Sequence, residues 1–158
     1  MRYVIIFVAL LLPVQAAALS CLRPSVARTY HEADAATQDY LVVVGRLTLD
    51  MRQLPKTSHG TANPPKMTRI KGRLRGKSMA ANGFTVPFDQ RLTLEVACFG
   101  PWCGGAENGQ EVLAFVRRDA PGRYAIAITP CGGHVFANPK KSHLDTAMRC
   151  ARGKACKG

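Results

Sequence analysis

The chain has 158 residues, 22 Lys and Arg against 10 Asp and Glu, a net charge of +12, and six cysteines. That length suits one domain with a sizeable core rather than two. So strong a basic excess favours anionic partners without dictating a fold, and the scarcity of carboxylates argues against chemistry that needs a pair of them.

Met1-Arg2-Tyr3 precede an apolar run from Val4 to Leu12 and the small residues Ala16-Ala17-Ala18. A positive start, a short apolar core and a small-residue end make residues 1–18 a secretory signal peptide. The run is well short of the roughly 20 residues a membrane helix needs, and no later stretch is longer. The expected mature chain is a single domain over residues 19–158, periplasmic or secreted. Cleavage directly before Cys21 would allow lipid attachment there, but Ala18 and Leu19 stand in the reverse of the order such a site prefers.

All six cysteines lie at or beyond Cys21, and in an exported chain an even number implies up to three disulfides. The provisional set is Cys98–Cys103, Cys21–Cys131 and Cys150–Cys156, with Cys21–Cys103 as a rival tie. Cys98 and Cys103 are too far apart for the usual two-residue redox spacing, so their bond reads as structural.

Pro24 makes the first residues extended. Ser25 to Thr37 reads as a loop or one short helix, because it lacks an apolar stripe. Asp39 to Asp50 is the clearest strand, and Gly45 within it points to a bulge or bend. Met51 to Pro65, rich in Pro, Gly, Ser and Thr, reads as a surface loop.

From Arg69 onward every second residue is basic: Arg69, Lys71, Arg73, Arg75 and Lys77. Side chains alternate along a strand, so these five share one face, opposite Ile70, Gly72, Leu74 and Gly76. No acid occurs between Asp50 and Asp89, so nothing nearby in sequence neutralises the stripe.

Asn82-Gly83 is a turn, followed by strand at Phe84–Phe88 and again at Arg91–Ala97, where Leu92, Leu94 and Val96 alternate with Arg91, Thr93 and Glu95. Cys98 to Cys103 is a turn that holds the single tryptophan, Trp102. Gln110 to Arg117 is a strand too continuously apolar to be half-exposed, and Arg123 to Thr129 folds back on it as a hairpin through Asp119-Ala-Pro-Gly122. Pro130 to Phe136 is a second cysteine–glycine turn. Pro139 to Cys150 reads as a short helix, with Ser142 as N-cap and Asp145 three residues on. Five or six strands with little helix make a mainly β chain whose economical architecture is a small barrel.

The order Cys21-x-x-Pro24, Tyr40 to Gly45, Leu92 to Val96, Cys103-Gly104 with Gly109-x-x-Val-Leu-Ala-Phe-Val116, and Leu144 to Cys150 resembles the netrin-like module, the OB-fold domain shared with tissue inhibitors of metalloproteinases. The resemblance implies an OB-like barrel with a short C-terminal helix over most of the mature chain. It also implies, as an alternative function, protein binding of the metalloproteinase-inhibitor kind. That family's inhibitors begin with Cys-x-Cys, whereas Leu22 and Arg23 follow Cys21 here.

No serine lies in a nucleophile elbow and the cysteines are expected to be oxidised, so no catalytic residue is assigned and the chain reads as no enzyme. His31, His59, His134 and His143 are scattered without metal-ligand spacing, so neither metal nor cofactor is expected. The basic stripe is the strongest functional signal. Lined up on a barrel face, Arg69, Lys71, Arg73, Arg75 and Lys77 would engage an anionic polymer, a membrane surface or a protein partner. Nucleic acid is disfavoured by export and by the lack of aromatics within the stripe. The competing reading is an edge strand whose charges block edge-to-edge pairing.

Overall fold

The computed structural model describes residues 20–56 and 64–157. The expected signal peptide, residues 1–18, and the middle of the Met51–Pro65 loop lie outside the described residues. Seven strands and two helices follow in the order α1 (Val26–Asp34), β1 (Asp39–Leu49), β2 (Met67–Ala80), β3 (Gly83–Phe99), β4 (Trp102–Cys103), β5 (Gln110–Ala120), β6 (Arg123–Ile128), β7 (Val135–Ala137) and α2 (Lys141–Ala151), with one 3-10 turn at Met51–Gln53. Among the described residues no helix is long and apolar enough to cross a membrane.

Five strands close a ring. β1 pairs antiparallel with β2 and β2 with β3; β3 runs parallel to β6; β6 pairs antiparallel with β5, and β5 returns to β1. This is the small OB-like barrel that the strand pattern and the resemblance imply. β4 and β7 are short additions, on β3 and β5 respectively. Val43, Leu47, Leu74, Leu94, Val96, Val112, Val116 and Ile126 fill the interior. Each alternates with a residue facing out, as the period of a pleated strand requires.

β5 differs from the other walls because both its faces are covered. Val112, Ala114 and Val116 point into the barrel. Leu113 and Phe115 point outward into a second core, against Val26 and Ala33 of α1, Phe136 of β7 and Ala147 of α2. That double burial explains the unbroken apolar run.

The Ser25–Thr37 segment forms a helix, and its apolar stripe is inconspicuous because the buried face is built from Val26, Ala27, Thr29 and Ala33. The Thr29 hydroxyl sits in that interface without cost, donating to the Gly133 carbonyl at 2.8 Å. α2 begins two residues earlier than an N-cap at Ser142 predicts. Lys140 is the cap, its N–H donating to His143 Nδ1 at 3.4 Å, while Asp145 pairs with Lys141 at 2.8 Å.

Gly45 is not a bulge, since the β1–β2 register runs unbroken from Val43 opposite Ser78 to Leu49 opposite Gly72. Gly45 faces Gly76 across the pair, and a Cβ on Gly45 would lie 2.7 Å from the Gly76 Cα. The two glycines together allow the strands to approach there. Phe84–Phe88 and Arg91–Ala97 are one continuous strand, β3. Over Phe84–Phe88 its only strand neighbour among the described residues is β2, and Pro87 is tolerated on such a one-sided stretch.

The disulfides are Cys21–Cys131, Cys98–Cys103 and Cys150–Cys156, which excludes the rival Cys21–Cys103 tie. The first fastens the start of the domain to the turn after β6. The second closes the β3–β4 hairpin, and the third folds the tail back on α2.

A candidate anion-binding face on the barrel wall

β2 has the predicted two faces. Ile70, Leu74 and Ser78 are buried, while Arg69, Lys71, Arg73, Arg75 and Lys77 are all exposed on the outer wall. The structure therefore brings all five candidates together. It also separates them into two groups by what they touch.

Arg69, Arg73 and Arg75 are ion-paired with carboxylates of β3, so the stripe is not as free of acid as the sequence suggests. Arg69 reaches Glu95 at 3.2 Å, and Asp89 takes two hydrogen bonds from Arg73, at 2.6 and 2.8 Å, and one from Arg75 at 3.1 Å. The correction comes from register: antiparallel pairing sets Arg69 opposite Glu95 and Arg75 opposite Asp89, although they stand far apart along the chain. Lys71, Lys77 and Arg91 have no ion pair among the described residues.

The carboxylates carry the mark of these contacts. Hydrogen bonding from Arg73, reinforced by the charge of Arg75, holds the Asp89 carboxyl below its ordinary range. Partial burial would raise Glu95, but hydrogen bonds from Arg117 and Arg69 outweigh it and leave that carboxyl low as well.

Arg91 is a site residue that the stripe alone does not reveal. It lies on the wet face of β3 directly opposite Arg73, and Arg75 lies opposite Arg46 of β1. Like charges in opposite positions of a sheet destabilise it. Lys71, Arg73 and Arg91, with Thr48 and Asn108, surround a shallow depression of about 400 Å³ whose lining has no carboxylate. Asn108 is fixed there by the Leu49 N–H, which donates to its side-chain oxygen at 3.0 Å. Its amide nitrogen remains as a further donor. The alternation Arg91, Thr93, Glu95 announces the wet face of β3, but only the register puts Arg91 beside Arg73.

The edge-strand reading is partly overturned. Gly72 to Ser78 is hydrogen-bonded to β1 on one side and β3 on the other, so Arg73, Arg75 and Lys77 protect no edge. Among the described residues Met67 to Lys71 and Met79 to Ala80 pair with β3 alone, so of the stripe Arg69 and Lys71 lie on an open side.

Of the histidines, His31 comes close to the Cys150 and Cys156 sulfurs. Those sulfurs are joined to each other, which leaves no thiolate for a metal there. His31 Nε2 lies 3.2 Å from the Cys156 carbonyl oxygen.

No protein-family model, curated protein or solved structure matches the chain.

Proposed function

We propose that the chain is an exported, non-enzymatic binding protein that holds an anionic polymer or surface on the outer β2–β3 wall. Arg69, Lys71, Arg73, Arg75 and Lys77 supply the face, and Arg91 joins them. The observation that carries the reading is the placing of Arg73, on a stretch of β2 paired on both sides, opposite Arg91 beside a depression whose lining has no carboxylate. Asp89 already compensates Arg73, so the charge of the pair left without a partner is that of Arg91, and an anionic ligand that neutralises it relieves the juxtaposition.

Roles divide accordingly. Lys71, Lys77 and Arg91 are available to an incoming sulfate, phosphate or carboxylate at once, whereas Arg69, Arg73 and Arg75 are preorganised by Glu95 and Asp89 and share their remaining donors. Three disulfides in so small a domain suit life in an oxidising compartment. Retention on immobilised heparin tests the reading: replacing all five stripe residues with Gln should abolish binding, and unchanged retention would refute it.

A further inference from the structure

The largest exposed apolar side chains of the barrel gather at one end of the same wall. β3 runs out through Cys98 and Phe99, turns at Gly100 and Pro101, and returns as Trp102 and Cys103. Phe99 lies opposite Trp102, and Cys98 opposite Cys103, with the disulfide locking the pair. Gly100 takes φ of 60°, the left-handed conformation a tight turn requires. Phe99 is 45% exposed and Trp102 40%. Met67, 44% exposed, begins β2 opposite Ala97, two residues before Phe99.

An aromatic tip held outward on a stapled turn loses apolar burial and gains no freedom. Its neighbours on the β2 side are cationic: Lys66 precedes Met67, and Arg69 lies two residues after it. The first carboxylate on the wall, Glu95, is already engaged by Arg69 and Arg117. Along a strand, Phe99 and the Arg69–Glu95 level are about 13 Å apart. Apolar groups that enter an interface sink about 5–10 Å into the boundary between headgroups and acyl chains. With the tip at that depth and the strands upright, Lys66 and Arg69 reach the phosphates, while Lys71 stands about 7 Å and Arg73 with Arg91 about 13 Å farther from the bilayer. A soluble polyanion would use the cations but gives Phe99, Trp102 and Met67 nothing to contact.

We propose that the Phe99–Trp102 tip inserts into the surface of an anionic lipid bilayer, with the Lys66–Arg69 end of the basic β2–β3 wall at the lipid phosphates. The inference rests on the anion-binding reading above and names its surface. Aromatic side chains favour the headgroup level, and each cation close to an anionic leaflet adds to the attraction.

Trp102 is the single tryptophan, so its emission reports this tip and leaves the apolar Val4–Leu12 stretch silent. Adding vesicles of equimolar phosphatidylglycerol and phosphatidylcholine to the oxidised protein should shift that emission to the blue and allow quenching by brominated acyl chains. Vesicles of phosphatidylcholine alone should do neither. Phe99→Ser, with Trp102 kept as reporter, should weaken partitioning about tenfold while heparin retention stays unchanged. An unshifted, unquenched Trp102 in a protein that still binds heparin overturns tip insertion and leaves the polyanion reading standing. Loss of both in the unaltered protein overturns both. Should Phe99→Ser fail to fold, quenching in the unaltered protein still decides.

Discussion

β2 and β5 are walls of the same barrel, and they are finished on the outside in opposite ways. β5 carries Leu113 and Phe115 outward, fully buried beneath α1, α2 and β7. β2 carries Arg69, Lys71, Arg73, Arg75 and Lys77 outward, all exposed. The inner faces are alike, with Leu74 on one and Val112 and Val116 on the other completely enclosed. The closed ring needs only the inner faces. The outer faces are therefore where the sequence is free to add helices on one side and charge on the other, and the bare wall is the one proposed to bind.

The contrast is sharpest in stability. Phe115→Ala should cost about 3–5 kcal/mol, because it empties the space beneath both helices where Phe115 meets Phe136 edge to face. Chemical denaturation measures it, and a loss no larger than that of a surface change would mean the helices are not packed as described.

Gly76→Ala is the next largest. Its Cβ would approach the Gly45 Cα to 2.5 Å, so the β1–β2 pair must part or strain, at a cost of about 1–3 kcal/mol. A neutral result in a melting experiment would show that the bare wall does not depend on the close approach of these strands.

The pH dependence separates the two walls more finely. Hydrogen bonds from arginine hold Asp89 and Glu95 below the ordinary carboxylate range, so both stay charged through that range. Affinity for a sulfated polymer should be flat from neutrality down to the ordinary carboxylate range and rise only below it, as Arg69, Arg73 and Arg75 are released from their partners. Stability has the opposite sign. A depressed carboxyl contributes above its unfolded pKa and loses that contribution as pH falls through its folded value. Binding that strengthened between neutrality and pH 5 would implicate histidine instead.

Much of this was legible in the residues themselves. The two-residue period of Arg69 to Lys77 fixed which side chains face out, and the unbroken run Val112 to Val116 marked a strand buried twice. The close spacing of Cys98 with Cys103 and of Cys150 with Cys156 pointed to two of the disulfides. What could not be read depended on partners remote in sequence. Asp89 and Glu95 neutralise part of the stripe, and Arg91 extends it, only because antiparallel register brings them alongside. α1 was ambiguous because alanine and threonine form its buried face, and β4 and β7 are too short to show a period.

The central claim is that binding belongs to the bare wall rather than to net charge. A charge-matched comparison of salt elution from heparin tests it most directly. One variant carries Lys71→Gln, Lys77→Gln and Arg91→Gln; the other removes the same charge from the helical side through Lys140→Gln, Lys154→Gln and Lys157→Gln. The account predicts that the first elutes at much lower salt, with up to about a fivefold loss of affinity for each cation removed, and that the second elutes close to the unaltered protein. Equal elution of the two variants would contradict it.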